Sequence, residues 1–287
     1  MSIKFDIGIA CGKNSEPYLD FLLKTIDVTA LNKHRYIIGI TNEDVNERLI
    51  RKSLLDRDFQ IVDFSRKTHI GSKSHGECLN AVLDKMQSEY GCIIDCDCAM
   101  LDIGWDEYLV SKLNEKEVII GAEYPFNSNK YLCFPNAIFS IFNVGKFKKL
   151  RISFLPKCDA ANNVATERIS VEESKIFNRD MAFHMSNFMH FDTGWEIPYK
   201  LKKNGYDGIP INLIWENKRK CIIVNKEPEG NADEFNLEGK TILTHIGRSS
   251  SRDFFTNKRT IVWRKEVSEY LKIINFRGNV DTRLKKL

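Results

Sequence analysis

The sequence predicts an α/β fold: a mixed, mainly parallel sheet flanked by helices, with a C-terminal helical extension. Three observations carry this. The first half alternates short β-branched apolar runs with amphipathic segments, an order that implies parallel strands joined by right-handed crossovers. The apolar run Cys92-Ile93-Ile94 ends in two carboxylates, Asp95 and Asp97, and the C-terminal ends of strands are where α/β sheets bind ligands. Near the end of the chain, Trp263–Asn275 keeps an apolar stripe at helical spacing.

The elements follow in order. Ile3–Ala10 is apolar and β-branched and reads as a strand. Pro17–Ala30 carries Tyr18, Phe21, Leu22 and Ile26 at helical spacing. Arg35–Thr41 is a second strand, Asp44–Leu55 a charged amphipathic helix and Phe59–Phe64 a third strand. His75–Gln87 is a helix with Leu79, Val82, Leu83 and Met86 on its apolar side, and Gly91–Asp95 a fourth strand. Beyond the acidic pair, Trp105–Leu113 reads as helical, Val118–Gly121 and Ala137–Phe142 as extended, and a short basic segment reaches Lys149. Pro156–Arg168 is polar and Ala/Asn-rich and reads as a loop. Glu172–Phe188 is a predicted helix, Tyr199–Asn204 a short helical piece closed by Gly205, Cys221–Val224 and Thr241–His245 are extended, and Trp263–Asn275 is a terminal amphipathic helix. No repeat or flexible linker interrupts the chain. The expected organisation is one domain over residues 1–250, then a C-terminal helix and basic tail over 251–287.

Composition excludes several classes. With 287 residues, 43% hydrophobic and 29% charged, the chain has the make-up of a soluble globular protein. A formal charge of +4 without clustered basic residues gives no case for a nucleic-acid binder. No apolar run approaches the roughly 20 residues of a membrane span, and MSIKFDIGIACG lacks a signal-peptide pattern. Several of the eight cysteines lie in apolar segments, as free thiols of a reducing cytoplasm do. Cys92, Cys96 and Cys98 raise a zinc cluster as an alternative, but no Cys-x-x-Cys or paired His lies near them.

Desolvating two unpaired carboxylates is too costly for an apolar strand, and a divalent cation at its tip is the simplest partner. Residues i and i+2 of a strand share a face about 7 Å apart, too far for both to ligate one ion unless the chain turns. That assigns Asp97 to the metal and Asp95 to a sugar hydroxyl or a metal-bound water. A hard cation with few protein oxygens completes its shell with water and phosphate, which points to a nucleoside diphosphate. A strand ending in two solvated acids is the alternative.

Four further features join the acidic pair. GSKSHGECLN, from Gly71 to Asn80, offers backbone N–H groups, Lys73 and His75 to an anion near a helix N-terminus, or else forms a polar turn with capping residues. FDTGWE, from Phe191 to Glu196, places Asp192 beside Trp195, which suits a general base next to a ring that stacks on an acceptor sugar. Its alternative is a capping box of Thr193 and Glu196, with Pro198 arguing for a later or kinked helix start. LTHIGRSSSR, from Leu243 to Arg252, ends a strand in His245, whose neutral imidazole can ligate a divalent metal or else serves the structure, followed by Arg248 and Ser249 as candidate phosphate donors. Ala10 and Cys11, with Asn42, Glu43 or Asp63, stand at strand ends where a base or ribose can dock, a structural role being the alternative for each.

Together these residues resemble the GT-A fold glycosyltransferases, particularly the family 2-like inverting enzymes, from about Ile3 to about Arg248. Asp95-Cys96-Asp97 is similar to the Asp-x-Asp motif, His75 to Asn80 to the segment preceding it, Asp192 with the later Asn204-Gly205-Tyr206 to the catalytic-acid motif, and His245 to the C-terminal metal His. Phe191 stands where the family often has Glu, and the first strand ends in Ala-Cys-Gly rather than with Thr or Asn. The resemblance implies a GT-A (Rossmann-like) fold and Mn2+ or Mg2+ held by Asp97, His245 and Asp95. It also implies a nucleoside-diphosphate sugar, UDP-sugar favoured, with Asp95 toward the ribose, Lys73, Arg248 and Ser249 toward the phosphates, and His75 and Asn80 in the matching segment; Ala10 and Asn42 join these donor contacts by their strand-end places alone. Asp192 then deprotonates the hydroxyl of a saccharide or lipid-linked acceptor. The basic tail with Arg277, Arg283, Lys285 and Lys286 suggests a peripheral contact at the inner membrane face. Rival readings are a nucleotidyltransferase acting on sugar phosphates, a non-catalytic nucleotide-sugar-binding domain, and a structural protein with unrelated surface acids.

Overall fold

A computed structural model describes residues 5–41, 44–64, 71–123, 134–156, 158–159, 164–165, 193–214, 232–247 and 253–284. Four strands, β1 (Asp6–Cys11), β2 (Arg35–Ile40), β3 (Asp58–Asp63) and β4 (Tyr90–Ile94), lie parallel in the order β3-β2-β1-β4. They are joined through α1 (Glu16–Thr29), α2 (Glu47–Ser53) and α3 (Gly71–Lys85). All six residues of β1 are buried, the continuous burial expected of a strand covered on both faces.

The second half supplies β5 (Cys98–Met100), α4 (Trp105–Val110), β6 (Glu117–Ala122), β7 (Phe139–Asn143), α5 (Val144–Lys149), β8 (Cys158–Asp159), β9 (Val164–Ala165), α6 (Glu196–Lys203), β10 (Asp207–Leu213), β11 (Asp233–Leu237), β12 (Lys240–His245) and α7 (Lys258–Leu284). Among the described residues these strands extend the sheet to ten, in the order β3-β2-β1-β4-β7-β6-β10-β11-β12-β5, with β8 and β9 a separate pair. The β4–β7, β6–β7, β10–β11, β11–β12 and β12–β5 pairings are antiparallel and β6–β10 is parallel. The result is the expected mixed α/β sheet, parallel through its first four strands and largely antiparallel beyond them.

Helices cover both faces because alternate strand residues point oppositely. Ile7, Ile9 and Ile94 pack with Leu19, Leu22 and Ile26 of α1, Trp105 of α4, and Trp263 and Val267 of α7. Ala10, Ile37 and Ile93 pack with Leu79 and Val82 of α3, Phe147 of α5, and Ile197 and Leu201 of α6. The terminal helix is tied in by Trp263 Nε1 donating to Thr244 Oγ1 at 3.3 Å and by a Tyr18–Thr260 hydroxyl pair at 3.1 Å. Among the described residues, no helix is long and apolar enough to cross a membrane.

Several boundaries differ from expectation. α3 begins at Gly71, so the segment read as preceding a helix is its first turns. The basic segment to Lys149 is α5, whose Asn143 cap accepts from Lys146 N. α6 starts at Glu196 with Pro198 in its first turn, where a missing N–H costs no intrahelical bond. The N-cap of α6 is Trp195, not the Thr193 of the expected capping box. Glu196 instead accepts from Ser153 N at 2.8 Å. The strands β5, β10 and β11 were not foreseen, and the Pro156–Arg168 stretch contains the β8–β9 pair. The helix expected at Glu172–Phe188 and the strand at Cys221–Val224 lie outside the described residues.

One buried carboxylate anchors the entry to β2. Asp106 accepts from Leu31 N, Asn32 N, Asn32 Nδ2 and His34 Nε2 at 2.9–3.1 Å. Burial alone would push its pKa up, but the hydrogen bonds from His34, Leu31 and Asn32 outweigh it and hold the carboxyl at about 2, below its ordinary 3.8. A depressed folded pKa contributes stability above the unfolded value and loses it as pH falls through the folded one, here about 2 kcal/mol. Urea unfolding of Asp106→Asn beside the parent protein checks this. The gap between them should narrow as pH falls from about 5 toward about 2, and a pH-independent gap would contradict the assignment.

Candidate functional site

The acidic pair sits where the chain turns rather than runs straight. β4 ends at Ile94, Asp95 N donates to Ile138 O at 2.8 Å, and Cys98 N closes a turn by donating to Asp95 O at 3.1 Å. The chain leaves this turn as β5. This turn is the exception that the i, i+2 spacing allowed, and it brings both carboxylates toward one point. Asp95, Asp97 and His245 each offer a ligand atom within 4.8 Å of the others. Dividing the two carboxylates between metal and sugar is therefore not forced by distance.

His245 reaches the turn through strand pairing. It is the last residue of β12, opposite Cys98 on β5 and Asp233 on β11. Its Nε2 lies 3.3 Å from Asp97 Oδ1, and its Nδ1 lies 3.8 Å from Asp233 Oδ2. Ile246 N donates to Asp97 O at 3.1 Å, a main-chain bond between the strand end and the turn. At Gly247 the chain takes φ +64 and passes the ring so closely that a Cβ would stand 3.4 Å from His245 Cε1.

The electrostatics follow from this packing. Burial pushes the His245 pKa down, but the carboxylates of Asp97, Asp233 and Asp95 outweigh it and raise it to about 10. Ligands of a cation with bonds of about 2.1 Å stand at most about 4.2 Å apart, so the cluster needs only a small contraction to close on an ion. Two carboxylates and one imidazole suit a hard or borderline divalent cation.

The N-terminal part of α3 forms the wall beside the turn. His75 Nε2 lies 3.6 Å from Asp95 Oδ1, and Lys73 is exposed on the first turn of the helix. α3 fits there because Gly76 has no Cβ, which would stand 2.5 Å from Phe154 O. The Ser153–Phe154 segment is held in turn. Asn80 Nδ2 donates to Ser153 Oγ at 3.0 Å, and Asn80 Oδ1 accepts from Phe154 N at 2.7 Å. Asn80, expected at the donor, is therefore occupied in fastening α3 to this segment. Gly194 N donates to Phe154 O at 3.0 Å and Thr193 Oγ1 to Ser72 O at 3.3 Å, which brings the 193–195 turn against the same helix end.

Other expected residues fall differently. Ala10 packs in the core under α3. Trp195 is only 6% exposed and stacks on Tyr199 at 6.2 Å between ring centroids, so it is a packed ring rather than an open platform for a sugar. Asn42, Asp192, Arg248 and Ser249 lie outside the described residues. Asp233 was missed, because its place is set by its register opposite His245 and no local motif marks it.

No known family profile matches the chain, and no curated protein matches it in sequence. Among solved structures, the galactosyltransferase LgtC in complex with donor and acceptor sugar analogues is similar with a TM-score of 0.50 and 11% identity, over 93% of this chain and 95% of that one. S. aureus TarS 1-349 in complex with UDP-GlcNAc gives 0.42 and 14%, over 65% of this chain and 53% of that one. A mannosyltransferase from Pyrobaculum calidifontis in complex with GDP-Man and Mn2+ gives 0.42 and 11%, over 52% of this chain and 47% of that one. The chain thus spans about half the length of the last two. At such identities the likeness is one of fold, and the fold is that of the GT-A glycosyltransferases.

A cation entering the cluster displaces the proton that the surrounding carboxylates hold on His245. Mn2+ affinity should therefore rise between pH 6 and pH 8, by up to about tenfold per unit. Calorimetry in buffers of different ionisation enthalpy reads the released proton. An affinity independent of pH, with no proton release, would contradict ligation by His245.

Proposed function

We propose that the chain is a metal-dependent glycosyltransferase of the hexosyl-transferring type, moving a sugar from a nucleoside-diphosphate donor, UDP-sugar favoured, to an acceptor hydroxyl with inversion. The observation that carries this reading is the convergence of Asp95, Asp97 and His245 at the carboxyl edge of a GT-A sheet. Structures with this overall architecture include one bound to donor and acceptor sugar analogues.

In this reading Asp97 and His245 hold Mn2+ or Mg2+, and Asp95 shares it. The imidazole in the set favours Mn2+ over Mg2+. Such an ion neutralises the charge that develops on the departing diphosphate. Lys73, His75, Arg248 and Ser249 offer positive charge and donors to the phosphates, with His75 also bracing Asp95. Asn42, which follows β2 in sequence, contacts the nucleoside in this reading. Asp192 takes the proton of the acceptor hydroxyl, whose oxygen attacks the anomeric carbon from the face opposite the leaving diphosphate. Thr193, the next residue in sequence, hydrogen-bonds the first turn of α3, which supports placing the base on this side of the site. The acceptor is a saccharide or lipid-linked, and the tail with Arg277, Arg283, Lys285 and Lys286 grazes an anionic membrane face from the cytoplasm.

Two variants test this. Asp97→Ala should lose Mn2+-dependent UDP binding by calorimetry, and unchanged affinity would count against the metal assignment. Asp192→Asn should bind donor normally yet transfer about 10²–10⁴-fold more slowly. Near-normal turnover would remove Asp192 from the reaction, and a product retaining the donor's anomeric configuration by NMR would remove the inverting step.

A further inference from the structure

We infer that Asp233 is a positioning residue of the metal site, orienting the His245 imidazole from the side away from the cation. The inference rests on the metal reading above and adds a residue to it. In the antiparallel β11–β12 ladder Asp233 stands directly opposite His245, and opposed residues of such a ladder project to the same face. Glu234, one residue on, is buried opposite Thr244 on the other face. An alternating strand can therefore offer only one of these two carboxylates to the imidazole. The ladder shifts register between Phe235 and Asn236, and such an irregularity pins the pairing of the residues beyond it.

The geometry divides the two ring nitrogens. Nε2 faces Asp97 at 3.3 Å, and Nδ1 faces Asp233 Oδ2 at 3.8 Å. The nitrogens diverge from one ring, so a carboxylate on Nδ1 cannot share an ion bound at Nε2. Nδ1 is buried and makes no hydrogen bond at that distance, on a side chain only 11% exposed. The Asp233 side chain is 45% exposed, which leaves it room to close the remaining distance by a side-chain torsion. A carboxylate there keeps the proton on Nδ1, leaves the Nε2 lone pair for a cation and fixes the ring plane. This is how outer carboxylates raise the affinity of a metal-bound histidine.

The test is Mn2+ alone, titrated into the full chain by calorimetry, with the melting temperature of the metal-free protein recorded for each variant. Asp233→Ala should weaken Mn2+ binding on the order of 10–100-fold while leaving metal-free UDP binding as it was. Asp233→Asn, which keeps an acceptor oxygen, should recover most of the loss. Parental Mn2+ affinity in Asp233→Ala would overturn the inference and leave the metal reading standing. So would an Asn variant as weak as the Ala variant with an equally lowered melting temperature, which would mark the role as structural. Absence of Mn2+ binding by the unmutated protein would remove the metal reading and this inference with it.

Discussion

The pairing of β12 with β5 is what makes the acidic turn a candidate metal site. Leu243, Thr244 and His245 lie opposite Met100, Ala99 and Cys98, so a histidine about 150 residues away in sequence is delivered to the carboxylates by backbone hydrogen bonds alone. Without that ladder Asp95 and Asp97 would be two acids on a strand tip. With it, two carboxylates and an imidazole surround one point, and the negative charge there is strong enough to hold a proton on a buried histidine against its desolvation.

The two halves of the sheet contribute differently. The parallel half builds the floor and, through α3, sets His75 against Asp95. The antiparallel half brings His245 and Asp233 from the far end of the chain. The Ser153–Phe154 segment packs beside α3, held by Asn80, by Gly194 and by Glu196 at the start of α6. That segment holds the 193–195 turn beside α3, so the turn that follows the expected base and the helix expected to meet the diphosphate share one set of hydrogen bonds.

The parallel half was legible because each element buries a clear face. β1 and β2 are continuous apolar runs, and α1 and α3 carry their buried residues at helical spacing. The second half hid its strands for identifiable reasons. β10 contains Gly208 and Pro210, residues that argue against a strand. β11 is DEFNL, five residues that open on two acids and hold only two apolar side chains, and β5 is three residues long, so only their partners define them. Asp95, Asp97 and His245 were legible from residue type, but spacing alone left open whether the chain runs straight or turns between the carboxylates, and the Asp95–Cys98 turn decides it. Asp233 carries no local signal, because its significance arises only across the β11–β12 ladder.

Crystals grown with Mn2+ and UDP, with diffraction recorded at the manganese absorption edge, would show where the ion sits. A single anomalous peak is expected between the Asp95 and Asp97 carboxylates and His245 Nε2, with diphosphate oxygens completing its shell. A peak elsewhere on the molecule, or an ion held by the carboxylates with His245 turned away from it, would contradict this account.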